Sequence, residues 1–251
     1  GLKKQLENKT LALSDCKKII TDLEHKLQRS LDAKLDLAFD LQQSSFPNET
    51  ILHTTDIPLE ISVYTNTSEK VGGDYFDVFK FNMYWAIGIG HISEYGLNTV
   101  LYMREMKAAI KSILLVNNDL KDAYSFINRV AFDLRVNSKS DNFMSLSLLK
   151  VNKNGDIHLT GQHEDILIVR EDKTIEIIDT VSLGFPLGLI SHVSSKGTLN
   201  IDLSGNDVLV LITDGVLEAI KTNTQSYTME RMSDIILLNF FGDLEALNVG
   251  F

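Results

Sequence analysis

Three short clusters of acidic and glycine residues could carry chemistry; they lie at residues 71–77, 89–96 and 211–219. The first contains Asp74 and Asp77 after two glycines, the second contains His91, and the third contains Asp214 before a glycine. Carboxylates suit hard cations or their bound waters, and imidazole suits transition metals. Each cluster taken alone also fits an ordinary loop or turn. Their chemistry therefore depends on whether the fold brings them together.

Each of the three clusters lies at the end of a predicted strand, where loops usually carry function. The residues 84–89 form a continuous apolar run that ends just before His91, and residues 208–213 form another that ends at Asp214. Short apolar runs of this kind are typical of buried strands. We therefore expect a sheet to position both side chains.

The composition limits the kinds of partner. The chain has 251 residues, of which 44% are hydrophobic, and this allows one sizeable core plus an appendage. Its formal net charge is −10, which disfavours nucleic acid and anionic membrane surfaces as partners. No apolar run approaches the ~20 residues that span a bilayer. The single cysteine, Cys16, excludes an internal disulfide and fits a cytoplasmic protein. We expect the chain to be a fragment of a longer protein, such as the cytoplasmic part of a sensor.

The first 46 residues predict one long helix. Apolar residues recur every seven positions at Leu6, Leu13, Ile20, Leu27 and Leu41, with Lys34 as the exception. The positions three residues further on are Lys9, Cys16, Leu23, Ser30 and Leu37, which are only partly apolar. This spacing favours a coiled coil that dimerises or transmits a signal. The alternative is a helix packed on its own domain. Pro47 should end the helix and open a domain over residues 47–251.

The remaining pattern predicts an α+β domain. Two amphipathic helices are expected over residues 97–117 and 120–134, with Asn118 or Asp119 as the cap of the second. Strands are expected at 61–64, 76–81, 84–89, 144–151, 157–160, 166–170, 174–178, 199–203 and 208–213. Turn residues between the last six predict three hairpins and hence antiparallel sheets, arranged with the helices as a layered sandwich.

Several motifs in order resemble the SpoIIE/RsbU-type branch of the PPM metal-dependent serine/threonine phosphatases. The matching segments are Ala38 through Gln42 to Pro47, Val71–Asp77, Phe143–Leu146, Gly184–Gly188 and Thr213–Ala219. The resemblance covers about 190 residues, from about Phe39 to about Met232. It implies a four-layer αββα sandwich of two antiparallel sheets, preceded here by the predicted coiled-coil helix.

The resemblance also implies a two-metal centre of Mn²⁺ or Mg²⁺ that activates water for attack on phosphoserine or phosphothreonine. Asp74 then matches an aspartate that holds metal-bound water, and Asp214 matches a direct metal ligand, so both are candidate catalytic residues. Ile92 follows the central ligand position, where the family uses a backbone carbonyl as a ligand. The implied partners are small regulatory proteins, such as anti-sigma-factor antagonists.

The chain departs from the family pattern at the metal centre itself. His91 stands where the family carries a bridging aspartate, and Glu94 replaces a glycine. A neutral imidazole offers one nitrogen and no charge, whereas two close divalent cations need anionic ligands. The family's final Asp-Asp-x-Thr motif does not occur between Asp214 and Phe251, and residues 160–164 read Thr-Gly-Gln-His-Glu where Ala-Gly-His-x-Pro is usual.

These departures leave two functions open. One is a phosphatase of altered metal content, with one ion or an unusual pair. The other is a pseudophosphatase, with no catalytic metal, that signals by binding a partner. Two other interpretations of His91 are open. It could be a polar residue at a strand end with no special role, or a substitution introduced on purpose. We expect homodimers through the first helix in either case.

Overall fold

The computed structural model describes residues 2–46, 51–54, 56–65, 71–193, 197–218 and 229–239. In chain order the elements are α1 (Leu2–Gln43), β1 (Ile51–His53), β2 (Glu60–Ser62), β3 (Asp74–Lys80), β4 (Tyr84–Ile92), α2 (Leu97–Val116), α3 (Leu120–Ser138), β5 (Met144–Asn152), β6 (Ile157–Gln162), β7 (Ile166–Val169), β8 (Ile175–Ile178), β9 (Leu199–Ile201), β10 (Val208–Val210), α4 (Asp214–Glu218) and α5 (Met229–Asn239).

Helix α1 runs as predicted over 42 residues, because no proline or glycine interrupts it. Among the side chains of α1 that the structure describes, those of the last turns contact the domain: Ala38 is fully buried against Val71 and Val100, with Leu41 beside them. The side chains of its apolar stripe that the structure describes are more than half exposed at Leu13, Ile20, Leu23, Leu27 and Leu37. The helix therefore leaves an apolar face uncovered in the single chain.

The described strands form three antiparallel sheets. The largest has the order β3-β4-β5-β6-β9, the second has the order β10-β7-β8, and β1 pairs only with β2. Two of the predicted hairpins are confirmed, since β5 pairs with β6 and β7 pairs with β8. The third prediction is wrong, because β9 pairs with β6 while β10 pairs with β7 in the other sheet.

The turn between β9 and β10 crosses from one sheet to the other, and contacts of the Asp207 side chain fix its path. The Asp207 carboxylate accepts hydrogen bonds from the backbone N–H of Ser204 within the turn and from the backbone N–H of Glu171 in the neighbouring β7–β8 turn. The same carboxylate forms an ion pair with Arg170, at 2.9 Å. These contacts attach the segment to the β7–β8 hairpin, so that β10 begins next to β7.

The faces of the five-stranded sheet bury different side chains because successive strand residues point to opposite sides. Tyr75 and Leu146 pack against α2 and α3, where the side chain of Asp119 caps α3 by accepting the N–H of Asp122. Ile87 and Leu149 pack toward the three-stranded sheet. The outer face of that second sheet is covered by α5, whose Met232 and Ile236 are fully buried, and by α4.

The architecture is thus the predicted four-layer sandwich of helices, two main sheets and helices, with α1 attached at one end. None of the described helices combines the length and apolarity needed to cross a bilayer.

Candidate functional site

Four polar side chains form a row across one end of the five-stranded sheet. Asp74 of β3 lies directly opposite His91 of β4, which lies directly opposite Ser145 of β5. His163 follows β6 at the place opposite Ser145, and its Nδ1 is 2.8 Å from the Ser145 hydroxyl. Directly opposed residues have close side chains on one face. The register of three antiparallel pairings therefore builds this row on the face between the two sheets.

Asp214 reaches the same row from the second sheet. It begins α4, four residues beyond the end of β10. The Nδ1 atom of His91 lies 3.0 Å from Asp74 Oδ1 and 3.3 Å from Asp214 Oδ1. The hydroxyl of Thr213 donates to Asp74 Oδ2 at 3.1 Å. His91 thus joins two carboxylates that come from different sheets.

The two carboxylates change the proton affinity of His91. Hydrogen bonds to Asp214 and then to Asp74 raise the pKa of His91 from 6.5 to about 10, although partial burial opposes the charge. The hydrogen bond from His91 in turn lowers the pKa of Asp214 below its ordinary value. At neutral pH the cluster is therefore an imidazolium between two carboxylates, and its net charge is −1.

The donor set of this cluster fits one cation and does not fit two. One oxygen or nitrogen from each of Asp74, His91 and Asp214 lies within 4.8 Å of the others, as a shared single ion requires. Two adjacent divalent cations need bridging and anionic oxygens to offset their repulsion. His91 supplies one nitrogen with no negative charge in the bridging place. The residues present thus disagree with a two-metal centre.

The Gly-Gly segment before β3 lies tightly against the site. The Gly73 carbonyl accepts the N–H of Ile92 at 2.9 Å. A Cβ atom on Gly73 would lie 2.3 Å from the Ile92 carbonyl oxygen and 2.7 Å from Nε2 of His91. Only glycine fits this place, and the Ile92 carbonyl, which the resemblance names as a metal ligand, lies against Gly73.

Helix α1 contacts the same segment through one buried side chain. The Gln42 amide donates to the Gly72 carbonyl at 2.7 Å and accepts the Gly72 N–H at 3.2 Å. Lys107 of α2 bonds the Ser45 carbonyl at 2.6 Å and the buried Asp77 carboxylate at 2.8 Å. Asp77 points to the helix side of the sheet, away from Asp74, since the two are an odd number of residues apart. The site thus contains Asp74 but not Asp77.

His163 is a functional candidate that the sequence reasoning missed. It is 8% exposed, and burial lowers its pKa to about 4 despite the attraction of Asp214 and Asp74. Its backbone N–H donates to the Thr180 hydroxyl. The signal was available, because the turn at residues 152–156 fixes a register that brings Ser145 opposite His163. Glu94, by contrast, is exposed in the loop before α2.

The fold has relatives among solved structures. The SiaA-PP2C domain of Pseudomonas aeruginosa aligns with a TM-score of 0.62 and 15% identity, covering 84% of this chain and 83% of that one. The phosphatase domain of SpoIIE from Bacillus subtilis gives 0.56 and 18%, covering 72% of this chain. The RsbU and RsbW domains of Rv1364c from Mycobacterium tuberculosis give 0.54 and 18%, covering 70%.

The chain spans about half the length of two of these relatives, 52% of the Bacillus structure and 47% of the Mycobacterium structure. No curated protein sequence matches it significantly. The family model described as stage II sporulation protein E (SpoIIE) matches residues 82–247. That match includes His91 and Asp214 and covers more than half of the chain, and the structural neighbours share its fold. The chain therefore belongs to the SpoIIE family.

Proposed function

We propose that this domain is a regulatory member of its family that acts by binding a protein partner instead of hydrolysing a phosphoester. The observation that carries the proposal is the position of His91, whose Nδ1 contacts Asp74 at 3.0 Å and Asp214 at 3.3 Å. The imidazolium supplies the positive charge that a cation would otherwise bring to these carboxylates. A protonated His91 can thus hold the two carboxylates together in place of a cation.

The charge of the surrounding surface supports this proposal. Phosphoryl transfer needs positive groups around the phosphate oxygens. Among the described residues that line the cavity beside the site there is no lysine or arginine, and His91 is the only group there that can carry positive charge. That charge is already engaged by Asp74 and Asp214. A phosphorylated substrate would therefore meet a negative surface.

A comparison of the protein with its His91→Asp variant tests the proposal. We expect no phosphate release from phosphoserine or phosphothreonine peptides in Mn²⁺ by the protein itself. The aspartate restores a bridging carboxylate, so the variant should bind Mn²⁺ and gain turnover, and adding Asp214→Asn should remove that gain. Turnover by the unaltered protein with two bound Mn²⁺ ions would refute the proposal.

The second candidate is a phosphatase with altered metal content, and the family membership favours it. The neighbour RsbX, with a TM-score of 0.51 and 10% identity, was crystallised with magnesium. In such a phosphatase, Asp74 and Asp214 of this chain would be the catalytic carboxylates. The metal ligands would be Asp74, His91, Asp214 and the Ile92 carbonyl. One transition-metal ion suits a neutral His91 better than Mg²⁺ does. Titration calorimetry with Mn²⁺, Zn²⁺ and Mg²⁺ separates zero, one and two bound ions.

For the partner, we propose a small cytoplasmic regulatory protein of the anti-sigma-antagonist kind, in phosphorylated or unphosphorylated form. The support is the family and the RsbU and RsbW domains of the Mycobacterium neighbour. Binding of such a protein without dephosphorylation, measured by calorimetry, would support the binding function. Its dephosphorylation would support the second candidate.

We also propose that residues 1–46 form a dimeric coiled coil that conveys a signal to the domain at residues 47–251. The exposed apolar stripe of α1 supports the dimer, and the bonds between Gln42 and Gly72 provide a route to the site. Cys16 is exposed and is the only cysteine. A parallel pair would bring the two Cys16 thiols together, so mild oxidation should cross-link the dimer.

Substitution on the helix gives the matched control for the dimer. Ile20→Lys places a charge in the apolar stripe and should give a monomer in light scattering, whereas Thr21→Lys beside it should leave the dimer intact. A monomer of the unaltered protein at high concentration would contradict the proposal.

A further inference from the structure

A large cavity opens between the two main sheets beside the site. Its volume is about 1170 Å³, and its lining includes β2 and the segment that runs from Asp202 through β10 to Asp214. The cavity exceeds the ~300–1,000 Å³ of ordinary small-molecule pockets. It reaches from the Asp74–His91–Asp214 cluster to the β5–β6 turn at Gly155. The space is elongated and crosses the layer between the sheets.

One strand along this cavity, β10, has an unpaired edge within the part of the chain that the structure describes. Strand β10 pairs with β7 on one side, and no described strand pairs with it on the other. A strand edge presents a row of backbone N–H and C=O groups that accept another strand. An extended peptide can satisfy these groups, whereas an acyl chain cannot.

Side chains on the cavity wall are apolar and only half covered. Those that belong to the inter-sheet core but keep partial exposure on the cavity are Leu59, Ile61, Phe76, Leu203, Leu209 and Leu211. Leu209 of β10 and Leu211 just after it face the cavity, while Val208 and Val210 pack on the other side of the sheet. The wall therefore suits a strand whose alternate side chains are apolar.

The charges of the cavity lining indicate which kind of peptide strand would bind there. The described lining carries six acidic residues, Glu60, Asp74, Asp156, Asp202, Asp207 and Asp214, and no lysine or arginine. His91 contacts Asp74 and Asp214, and Arg170 forms an ion pair with Asp207. The Asp74–His91–Asp214 cluster still has a net negative charge. A segment with lysine or arginine at its ends complements both ends of the cavity.

We propose that the cavity binds an extended segment of a partner protein, with alternating apolar side chains and basic ends, which adds to the β10 edge as a further strand. This is the strand-addition mode of peptide recognition, in which backbone hydrogen bonds supply affinity and side-chain pockets supply selectivity. The inference rests on the proposed binding function for its partner, but it does not depend on the metal content of the site.

The test uses the acetylated and amidated peptide Lys-Val-Thr-Val-Thr-Val-Lys and amide hydrogen exchange. We expect the peptide to bind and to slow the exchange of backbone amides in residues 208–211. The same peptide with alternate N-methyl groups on its backbone cannot pair and should lose at least about tenfold in affinity. A peptide with glutamate at both ends should also bind at least about tenfold more weakly, and added salt should narrow that difference.

Variants of the protein locate the binding edge. Leu209→Arg on β10 and Ile61→Arg on β2 should each weaken binding at least about tenfold, since each places charge in the apolar wall. The matched control is Ile177→Arg on β8, the opposite edge of the same sheet, where Ile177 is 52% exposed. Two variants on different walls keep the test valid if one of them folds poorly.

Several results would overturn the inference. Equal binding of the N-methylated peptide, equal weakening by Ile177→Arg, or binding of laurate with none of the peptide would each do so. Slow exchange of all the amides at residues 208–211 before peptide is added would mean that another segment of the same chain already pairs there, which also overturns it. Peptide binding is measured with the unaltered protein in EDTA, where metal-dependent turnover is absent, and this separates the inference from the question of catalysis.

Discussion

Two histidines of the same cross-strand row differ in charge. His91 and His163 are separated by Ser145 alone, which contacts the backbone of one and the ring of the other. The pKa of His91 rises to about 10, while that of His163 falls to about 4. At neutral pH one ring is therefore an imidazolium and the other is neutral.

The difference comes from what each ring meets at the end of its strand. His91 lies where Asp74 and Asp214 converge, and hydrogen bonds to an anion favour the charged form. His163 is almost wholly buried and has a hydroxyl as its ring partner, so burial favours the neutral form. Position in a sheet thus does not determine the charge of a histidine. Each ring can therefore be perturbed by substitution while the other ring serves as the reference.

The largest effect is expected from Gly73→Ala. The new methyl group would approach Nε2 of His91 to 2.7 Å and the Ile92 carbonyl oxygen to 2.3 Å, so the ring and the strand must shift. We expect a loss of about 3 kcal/mol in the free energy of unfolding, and a lower pKa of His91 in NMR titration. His163 should change little.

Gly215→Ala is the control for that substitution, because it adds a methyl group beside the same cluster. Its nearest neighbours would be 3.9 Å away, at Asp74 Oδ2 and Thr213 Oγ1, which is ordinary contact. Urea denaturation of both variants checks the pair. Equal losses would mean that the close approach at Gly73 does not hold His91 in place.

The next effect is expected from His91→Gln. The pKa of His91 is higher in the folded protein than the 6.5 of an unperturbed histidine, so its charge contributes stability that is fully present below pH 6.5 and lost as the pH rises through about 10. Because the two carboxylates are partly exposed, we expect about 2 kcal/mol and not the full value of the shift. Urea denaturation should show the variant less stable near pH 7 and equal to the parent above pH 10. A constant difference across that range would contradict a charged His91.

Several parts of this site follow from the sequence and others do not. The motifs name Asp74, His91 and Asp214, and the strand pattern places each at the end of a strand. The sequence does not say that Nδ1 of His91 faces both carboxylates, because that depends on how β10 is placed against the larger sheet. The mistaken β9–β10 hairpin has the same origin, since a turn between sheets resembles a turn within one.

His163 shows what register adds to a motif. The segment at residues 160–164 drew attention only as a departure from a family pattern. The turn at residues 152–156 pairs Val151 with Ile157, and continuing that register toward the site brings Ser145 opposite His163. Counting along a predicted hairpin would therefore have found this contact. Its consequence, a buried neutral ring, depends on burial by Thr180 and the second sheet, which local sequence does not encode.

A smaller effect, of opposite pH dependence, is expected from His163→Gln. The pKa of His163 is lower in the folded protein than when unfolded, so its contribution to stability is present above pH 6.5 and lost as the pH falls through about 4. Allowing for the carboxylates nearby, we expect the parent to lose about 1 kcal/mol more than the variant over that range. Urea denaturation between those pH values measures it. His192→Gln, at an exposed histidine, should keep the parent's profile, and a matching change there would remove His163 as the cause.

The smallest effect is expected where the two rings are joined. The Ser145 hydroxyl accepts the backbone N–H of His91 at 3.2 Å and lies 2.8 Å from Nδ1 of His163. We expect it to donate its proton to that nitrogen, which places the ring proton of neutral His163 on Nε2. Ser145→Ala should cost about 0.5 kcal/mol and shift the ¹⁵N signal of His163 Nδ1 in NMR, while the His91 ring stays doubly protonated. Ser147→Ala is the matched control, because Ser147 is buried on the same face and its hydroxyl has no hydrogen-bond partner. If both substitutions moved the His163 signal equally, the hydroxyl would not set its tautomer. If Ser145→Ala deprotonated His91, the two rings would be coupled, and their different charge states would not arise from separate surroundings.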